Sequence, residues 1–153
     1  MNTEKVVDYI VNWLKDYATK SKVNGFVIGV SGGIDSAVTS ALCAKTGLPL
    51  LCLEMPIHQG DSQVTRAYKH INWLKENFDD VSMTQVNLTP VFDNLIANFP
   101  PVTNEEDRLM SLANTRARLR MTSLYYFAAL HGYLVAGTGN KVEDFGVGFF
   151  TKY

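Results

Sequence analysis

Two kinds of apolar pattern alternate along this chain. Short continuous apolar runs are separated by segments in which apolar residues recur every three or four positions, the spacing of one face of a helix. The runs predict strands over residues 26–30, 48–55, 82–88 and 133–138. The periodic segments predict helices over residues 3–17, 36–45, 61–77, 89–96 and 105–131.

Apolar strands that alternate with helices are typical of a parallel sheet, because helices cover both faces of such a sheet. The sequence therefore predicts a single α/β domain over residues 1–153, a doubly wound parallel sheet of Rossmann-like type with helices on both faces. Ligands of doubly wound sheets bind beyond the carboxyl ends of the strands. We therefore expect the loops at 31–36, 54–60 and 137–140 to share one rim of the sheet.

Composition narrows the class of protein. The chain has 153 residues and a formal net charge of −1, so no broad basic surface suggests binding to nucleic acid or to a membrane. The N-terminus lacks the pattern of a signal peptide. Cys43 and Cys52 lie in apolar runs and have neither metal-ligand nor redox-motif spacing, so we expect reduced, buried thiols and a cytoplasmic location.

The most informative segment is the turn between the first strand and the second helix. Residues 29–36 read Gly-Val-Ser-Gly-Gly-Ile-Asp-Ser. Amides at the start of a helix have no partner within the helix, and the helix dipole adds positive charge there, so the turn suits a phosphate group. No lysine follows Gly33, which excludes a Walker A loop, and the spacing does not match a dinucleotide fingerprint. The alternative is an ordinary glycine-rich turn in which Ser31 or Asp35 caps the helix.

The segment Ser-Gly-Gly-x-Asp-Ser resembles the pyrophosphate loop of the ATP-pyrophosphatase family, whose members have an adenine nucleotide alpha hydrolase-like fold and cleave ATP to AMP and pyrophosphate. Three further blocks, at residues 111–121, 135–143 and 148–153, are similar to ammonia-dependent NAD synthetases. This resemblance covers essentially the whole chain. It implies that ATP, ammonia and deamido-NAD react, through an acyl-adenylate, to give NAD, AMP and pyrophosphate.

The resemblance also implies roles for individual residues. It assigns Arg118 and Lys152 to the deamido-NAD substrate, and Asp35 and Glu143 to Mg²⁺. It implies no covalent nucleophile and no catalytic side chain that we can name. The ATP-binding residues that it implies are Gly29, Val30, Ser31, Gly32, Gly33, Ile34, Asp35, Ser36 and Thr138.

The family is typically homodimeric, and the predicted helix at 105–131 is the candidate contact surface. Family members continue beyond the position of Tyr153 with further nucleotide contacts, so we expect the domain to be incomplete at its C-terminus and the isolated chain to have little or no synthetase activity. Two alternatives stay open. One is another ATP pyrophosphatase, either GMP-synthetase-like or tRNA-thiolating. The other is an inactive nucleotide-binding fragment.

Several of these residues also have a structural interpretation. Arg116, Arg118 and Arg120 cannot share one helical face, because positions two apart diverge by about 200°. Thr138 could merely end a strand, and Glu143 could belong to a solvent-facing charge cluster. His58 has no neighbouring carboxylate in the sequence, so we interpret it as a loop residue rather than a base.

Overall fold

The computed structural model describes residues 2–101 and 104–147. Its helices are α1 (Thr3–Lys20), α2 (Ile34–Lys45), α3 (Asp61–Asn77), α4 (Thr89–Ala97) and α5 (Glu105–His131), and a π-helical turn covers Val142–Val147. Its strands are β1 (Phe26–Gly29), β2 (Leu50–Glu54), β3 (Val81–Gln85) and β4 (Leu134–Val135). Strands and helices alternate as the apolar pattern predicts.

The four strands form one parallel sheet in the order β3-β2-β1-β4. In the central pair, Phe26 lies opposite Leu50 and Gly29 opposite Leu53. The chain therefore winds outward from β1 in both directions, and the carboxyl ends of β1 and β2 meet at one rim. This confirms the doubly wound fold predicted from the sequence.

Alternate strand residues face two separate apolar cores. On one face, Phe26, Ile28 and Cys52 pack with side chains of α1, α2 and α3. On the other face, Val27 and Leu53 pack with side chains of α4 and α5. The strands are thus covered on both sides, which explains why their sequences read as continuous apolar runs.

The ends of the elements differ from the predicted ones. The second strand begins at Leu50 rather than at residue 48, because Pro49 has no amide to donate and uses its carbonyl to accept the amide of Phe26. Asn2 caps α1 by accepting the amide of Lys5 on its side-chain oxygen. In the part of the chain that the structure describes, no helix is both long enough and apolar enough to span a bilayer.

Candidate nucleotide-binding site

A cavity of about 350 Å³ opens at the carboxyl ends of the strands. The three loops predicted to share a rim all contribute to it, through Ser31, Gln59 and Thr138 in particular. Helix α5 closes one side. The residues that line the cavity are Gly29, Val30, Ser31, Leu53, Met55, Gln59, Ala117, Arg120, Met121, Leu124, Val135, Ala136, Gly137 and Thr138.

The loop between β1 and α2 passes close to helix α3. Gly32 adopts φ +79°, a left-handed conformation that favours glycine. A Cβ atom at Gly32 would lie 2.7 Å from the carbonyl oxygen of Gln63 and 3.3 Å from the amide nitrogen of Ala67. Both the conformation and the close approach therefore require glycine at this position.

Hydroxyl groups hold the loop from within. The amide of Ser31 donates to Oγ of Ser36 at 3.2 Å, and the amide of Gly33 donates to Oγ of Ser31 at 3.2 Å. Oγ of Ser36, a buried residue, donates to the carbonyl of Gly33 at 3.1 Å. The hydroxyl groups of both serines thus form hydrogen bonds within the loop.

The N-terminus of α2 carries no side-chain cap. Gly33 is the N-cap residue and has no side chain that could cap the helix, and the amide of Ala37 donates to the carbonyl of Gly33. The amides of Ile34 and Asp35 belong to the first turn of α2, where a helix offers no carbonyl partner. Neither Ser31 nor Asp35 caps the helix, so that part of the alternative interpretation is wrong. Amides at the start of a helix suit an anion, and phosphate binding here stays a prediction.

Asn140 joins residues 29–36, the phosphate-loop candidate, to the segment that contains Glu143. Its side-chain oxygen accepts the amides of Val142 and Glu143, each at 3.0 Å, while its side-chain nitrogen donates to Oδ1 of Asp35 at 3.4 Å. Asp35 is half-buried and Glu143 is exposed. Gly139 completes this turn, since a Cβ there would lie 3.0 Å from the carboxylate of Asp144.

These acidic residues fit a metal ion that arrives with its own ligands. Among the described residues, no group of three or more histidine, cysteine, aspartate or glutamate side chains could hold a metal ion by itself. Mg²⁺ prefers one or two carboxylates combined with phosphate oxygens and water. Asp35 and Glu143 therefore suit Mg²⁺ bound together with a nucleotide, and their roles as metal ligands stay predictions.

The three arginines of α5 point in different directions, as the helical geometry requires. Arg120 lines the cavity and its Nε donates to the carbonyl of Met55 at 3.0 Å. The guanidinium of Arg116 lies 4.6 Å from the centre of the Phe92 ring. Arg118 is exposed and is not among the residues that line the cavity. The role in substrate binding implied for Arg118 stays a prediction, whereas Arg120 is a cavity residue that sequence reasoning did not select.

Neighbouring groups shift the pKa of Arg120. Burial, and then the nearby cation of Arg116, lower the pKa of Arg120, while the carboxylate of Glu54 acts in the opposite direction. Glu54 is 2% exposed at the end of β2, and its Oε2 accepts Nε2 of Gln85 at 2.9 Å. A guanidinium remains charged in proteins even when partly buried, so the cavity presents a cation to its ligand.

His58 has a carboxylate partner that the sequence does not reveal. Its Nε2 lies 2.7 Å from Oδ1 of Asp93 on α4, and its amide donates to Oγ1 of Thr89. His58 lies in a loop, as expected, but with φ +52°. The sequence does not reveal this pair, because Asp93 is 35 positions away and only the fold brings it near.

The remaining site predictions have separate outcomes. Thr138 lines the cavity beside Gly137, and its role as a nucleotide contact stays a prediction. Lys152 and the block at 148–153 lie outside the described residues. Burial raises the pKa of Cys43 and of Cys52 to about 12, so both remain protonated thiols at neutral pH, as expected of core residues.

The family model described as NAD synthase matches residues 6–153 of this chain. The NH3-dependent NAD+ synthetase of Carboxydothermus hydrogenoformans is 33% identical over 159 residues, covering 100% of this chain and 61% of the relative. The corresponding enzyme of Malacoplasma penetrans is 38% identical over 150 residues, covering 97% of this chain and 57% of the relative. The chain thus spans about three fifths of the length of the curated relatives that it matches.

Solved structures agree with this assignment. The NMN synthetase of Francisella tularensis superposes with a TM-score of 0.89 at 33% identity, covering 99% of this chain and 60% of its own. The NH3-dependent NAD synthetase of Campylobacter jejuni, determined with a nitrate ion, gives a TM-score of 0.86 at 29% identity, covering 99% of this chain and 62% of its own. With a family model that matches nearly its whole length, this chain belongs to the NAD synthase family.

Proposed function

We propose that this chain serves the ATP-dependent amidation of deamido-NAD by ammonia, a reaction that yields NAD, AMP and pyrophosphate. The observation that supports this most directly is the uncapped N-terminus of α2, next to the half-buried carboxylate of Asp35. An open helix end binds phosphate, and an adjacent carboxylate holds the metal ion that accompanies it. The relatives named as NAD synthetases make the nicotinate dinucleotide the first substrate to test.

The proposed reaction has two steps. The nicotinate carboxylate of deamido-NAD attacks the α-phosphorus of ATP, a new P–O bond forms, and pyrophosphate leaves. Ammonia then attacks the carbonyl carbon of the acyl-adenylate, the amide forms, and AMP leaves. Both reactants of the first step are anionic, so the protein lowers the barrier chiefly by alignment and by neutralising charge.

Each part of the site has a defined task in this proposal. The amides of Ile34 and Asp35 stabilise the charge that grows on the departing pyrophosphate. Asp35 and Glu143 would hold Mg²⁺, which when bound neutralises phosphate charge and orients the leaving group. Arg120 supplies a fixed cation inside the cavity, and Thr138 contacts the nucleotide from the opposite loop. Arg118 and Lys152 are proposed to contact deamido-NAD.

The two buried thiols argue against the tRNA-thiolating alternative. Such chemistry needs a thiolate, and a pKa of about 12 leaves Cys43 and Cys52 protonated at neutral pH. The free, buried state of both cysteines also supports a proposed cytoplasmic location, where thiols stay reduced.

We further propose a homodimer in which α5 contributes to the contact. Large apolar side chains of α5 that are more than half exposed supply the surface: Leu109, Met110, Tyr125, Tyr126 and Leu130. Exposed apolar surface of this kind is typical of protein–protein interfaces.

Ligand binding to the 153-residue chain tests the proposed substrates. Thermal shift is measured with Mg²⁺ and a non-hydrolysable ATP analogue, with deamido-NAD, xanthosine monophosphate or nicotinate mononucleotide added in turn. A ligand that binds the native state raises the unfolding temperature. We expect the ATP analogue to stabilise the chain and deamido-NAD to stabilise it further. Stabilisation by xanthosine monophosphate instead would favour a GMP-synthetase-like enzyme, and stabilisation by the mononucleotide alone would favour the specificity named for the Francisella relative.

A further inference from the structure

Helix α3 brings a cation to the phosphate-loop candidate. Nε of Arg66 donates to the carbonyl oxygen of Gly32 at 3.4 Å. The backbones of the two residues are also close in space, because a Cβ at Gly32 would lie 3.3 Å from the Cβ of Arg66. Since α3 packs directly against the loop at this point, Arg66 is fixed relative to the loop by the fold and not by its side chain alone.

Most of the N–H donors of Arg66 form no hydrogen bond with the described residues. A guanidinium carries five N–H donors, and the bond to Gly32 uses the one on Nε. Among the residues whose side chains are described, none forms an ion pair with Arg66. The side chain is exposed. Its two terminal nitrogens are therefore available to a ligand that approaches the loop from the solvent side.

The loop needs such a charge. It contains no lysine, unlike a Walker A loop, and within it the positive charge comes only from amides and the helix dipole. A guanidinium matches the geometry of phosphate oxygens and can donate two parallel hydrogen bonds to them. The bond to the carbonyl of Gly32 places this guanidinium at the loop, two positions before Ile34.

We propose that Arg66 is a phosphate-binding residue that contacts the terminal phosphates of ATP, the part that leaves as pyrophosphate. This inference rests on the proposed function, because it takes the ligand of the loop to be a polyphosphate. Arg66 acts from the exposed side of the loop, whereas Arg120 acts from within the cavity. The two cations thus flank the loop from separate helices.

Calorimetric titration of the 153-residue chain tests the proposal, with Mg-ATP, Mg-pyrophosphate and AMP as probes. We expect Arg66→Gln to raise the Kd of Mg-ATP and of Mg-pyrophosphate about tenfold, the effect typical of losing a charged hydrogen bond. The Kd of AMP, which lacks the terminal phosphates, should change less than about twofold. Arg66→Lys should recover part of the loss, since it keeps the charge without the planar fork.

Lys75→Gln is the matched control. It removes the same charge from the same helix, nine residues further on, which is about 13 Å along the axis and beyond the screening length at physiological salt. This variant should bind all three probes as the parent chain does. The parent chain's affinity for Mg-pyrophosphate should also fall more steeply with salt than that of Arg66→Gln.

Two results would overturn the proposal while the proposed function stands. In one, the parent chain binds Mg-ATP and Arg66→Gln binds it equally well. In the other, Arg66→Gln weakens AMP as much as ATP, which would mean that the substitution distorts the loop. If the parent chain binds neither Mg-ATP nor Mg-pyrophosphate, the proposed function fails and this inference fails with it.

Discussion

The side-chain amide of Asn140 donates to Oδ1 of Asp35 across 105 positions of sequence, at 3.4 Å. The same side chain accepts two amides of the turn that carries Glu143. One residue therefore joins the first turn of α2 to the loop that follows β4. The link connects the Asp35 carboxylate to the backbone of the turn that carries Glu143, the two residues proposed to hold Mg²⁺.

Removal of this link should weaken nucleotide binding. We expect Asn140→Ala to raise the Kd of Mg-ATP about tenfold, since both the bond to Asp35 and the cap of the Glu143 turn are lost. Asn140→Asp keeps an acceptor for the turn but places a carboxylate against Asp35, so it should bind Mg²⁺ alone more tightly than the parent chain does. Asn98→Ala, at the end of α4, is the control. An unchanged Kd for Asn140→Ala would contradict the bridging role.

Alanine substitutions at two glycines separate backbone strain from close contact. Gly32 and Gly47 have similar φ values, +79° and +73°, but only Gly32 has atoms near the position of a Cβ. Gly47→Ala should lower the free energy of unfolding by about 1–2 kcal/mol, the cost of a left-handed residue. Gly32→Ala should cost about 1–3 kcal/mol more, because the Cβ meets the backbone of α3. Urea denaturation measures both, and equal losses would show that the contact with α3 is unimportant.

Charge-removing substitutions at two arginines test which of the two binds ATP. Arg120 lines the cavity and Arg118 does not. We expect Arg120→Gln to raise the Kd of Mg-ATP by at least about tenfold, since a charged partner within the cavity is lost. Arg118→Gln should change that Kd less than about twofold and should act instead on deamido-NAD. If Arg118→Gln weakens ATP more than Arg120→Gln does, the assignment of the two residues is reversed.

The stability of the chain should fall in mild acid because of His70. Burial lowers the pKa of His70 below its usual 6.5, and Nε2 lies 2.8 Å from Oγ of buried Ser40. The unfolded state therefore binds a proton first as the pH falls. The stabilising effect of neutral His70 is complete above pH 6.5 and is lost as the pH falls toward the lower, folded-state pKa.

Urea denaturation at a series of pH values from about 8 to 5 measures this effect. His70→Asn should show a shallower loss of unfolding free energy over this range than the parent chain. Asn98→Ala, at the end of α4, removes no titratable group and should keep the parent slope. Parallel curves for His70→Asn and the parent chain would contradict the prediction.

Sequence periodicity was sufficient to predict the order of the helices and strands. It also predicted that the loops at 31–36, 54–60 and 137–140 share one rim of the sheet. Continuous apolar runs such as 26–30 have few alternatives to a buried parallel strand, and parallel strands place their carboxyl ends together. The loop at 29–36 was recognisable because its chemistry is local, residing in adjacent glycines, serines and an aspartate. The resemblance to NAD synthetases supplied the family, and the comparisons confirmed it.

Sequence could not give the contacts that depend on rotation or on distance along the chain. The rotation of α5 about its own axis decides whether Arg118 or Arg120 lines the cavity. Periodicity alone does not determine that rotation. The pairs His58–Asp93, Arg66–Gly32 and Asn140–Asp35 join residues that are 34 to 105 positions apart. The π-helical turn at Val142–Val147 has no sequence signal, although such turns often occur at functional sites.

The loop at residues 31–36 is proposed to bind the phosphates of ATP together with a metal ion on Asp35. A crystal of this chain grown with ATP and Mn²⁺, with anomalous data collected for manganese, tests it most directly. We predict that phosphate oxygens accept the amides of Ile34 and Asp35, and that the anomalous peak lies between those oxygens and the carboxylate of Asp35. Triphosphate bound elsewhere, or a loop closed by its own side chains with no manganese at Asp35, would contradict the claim.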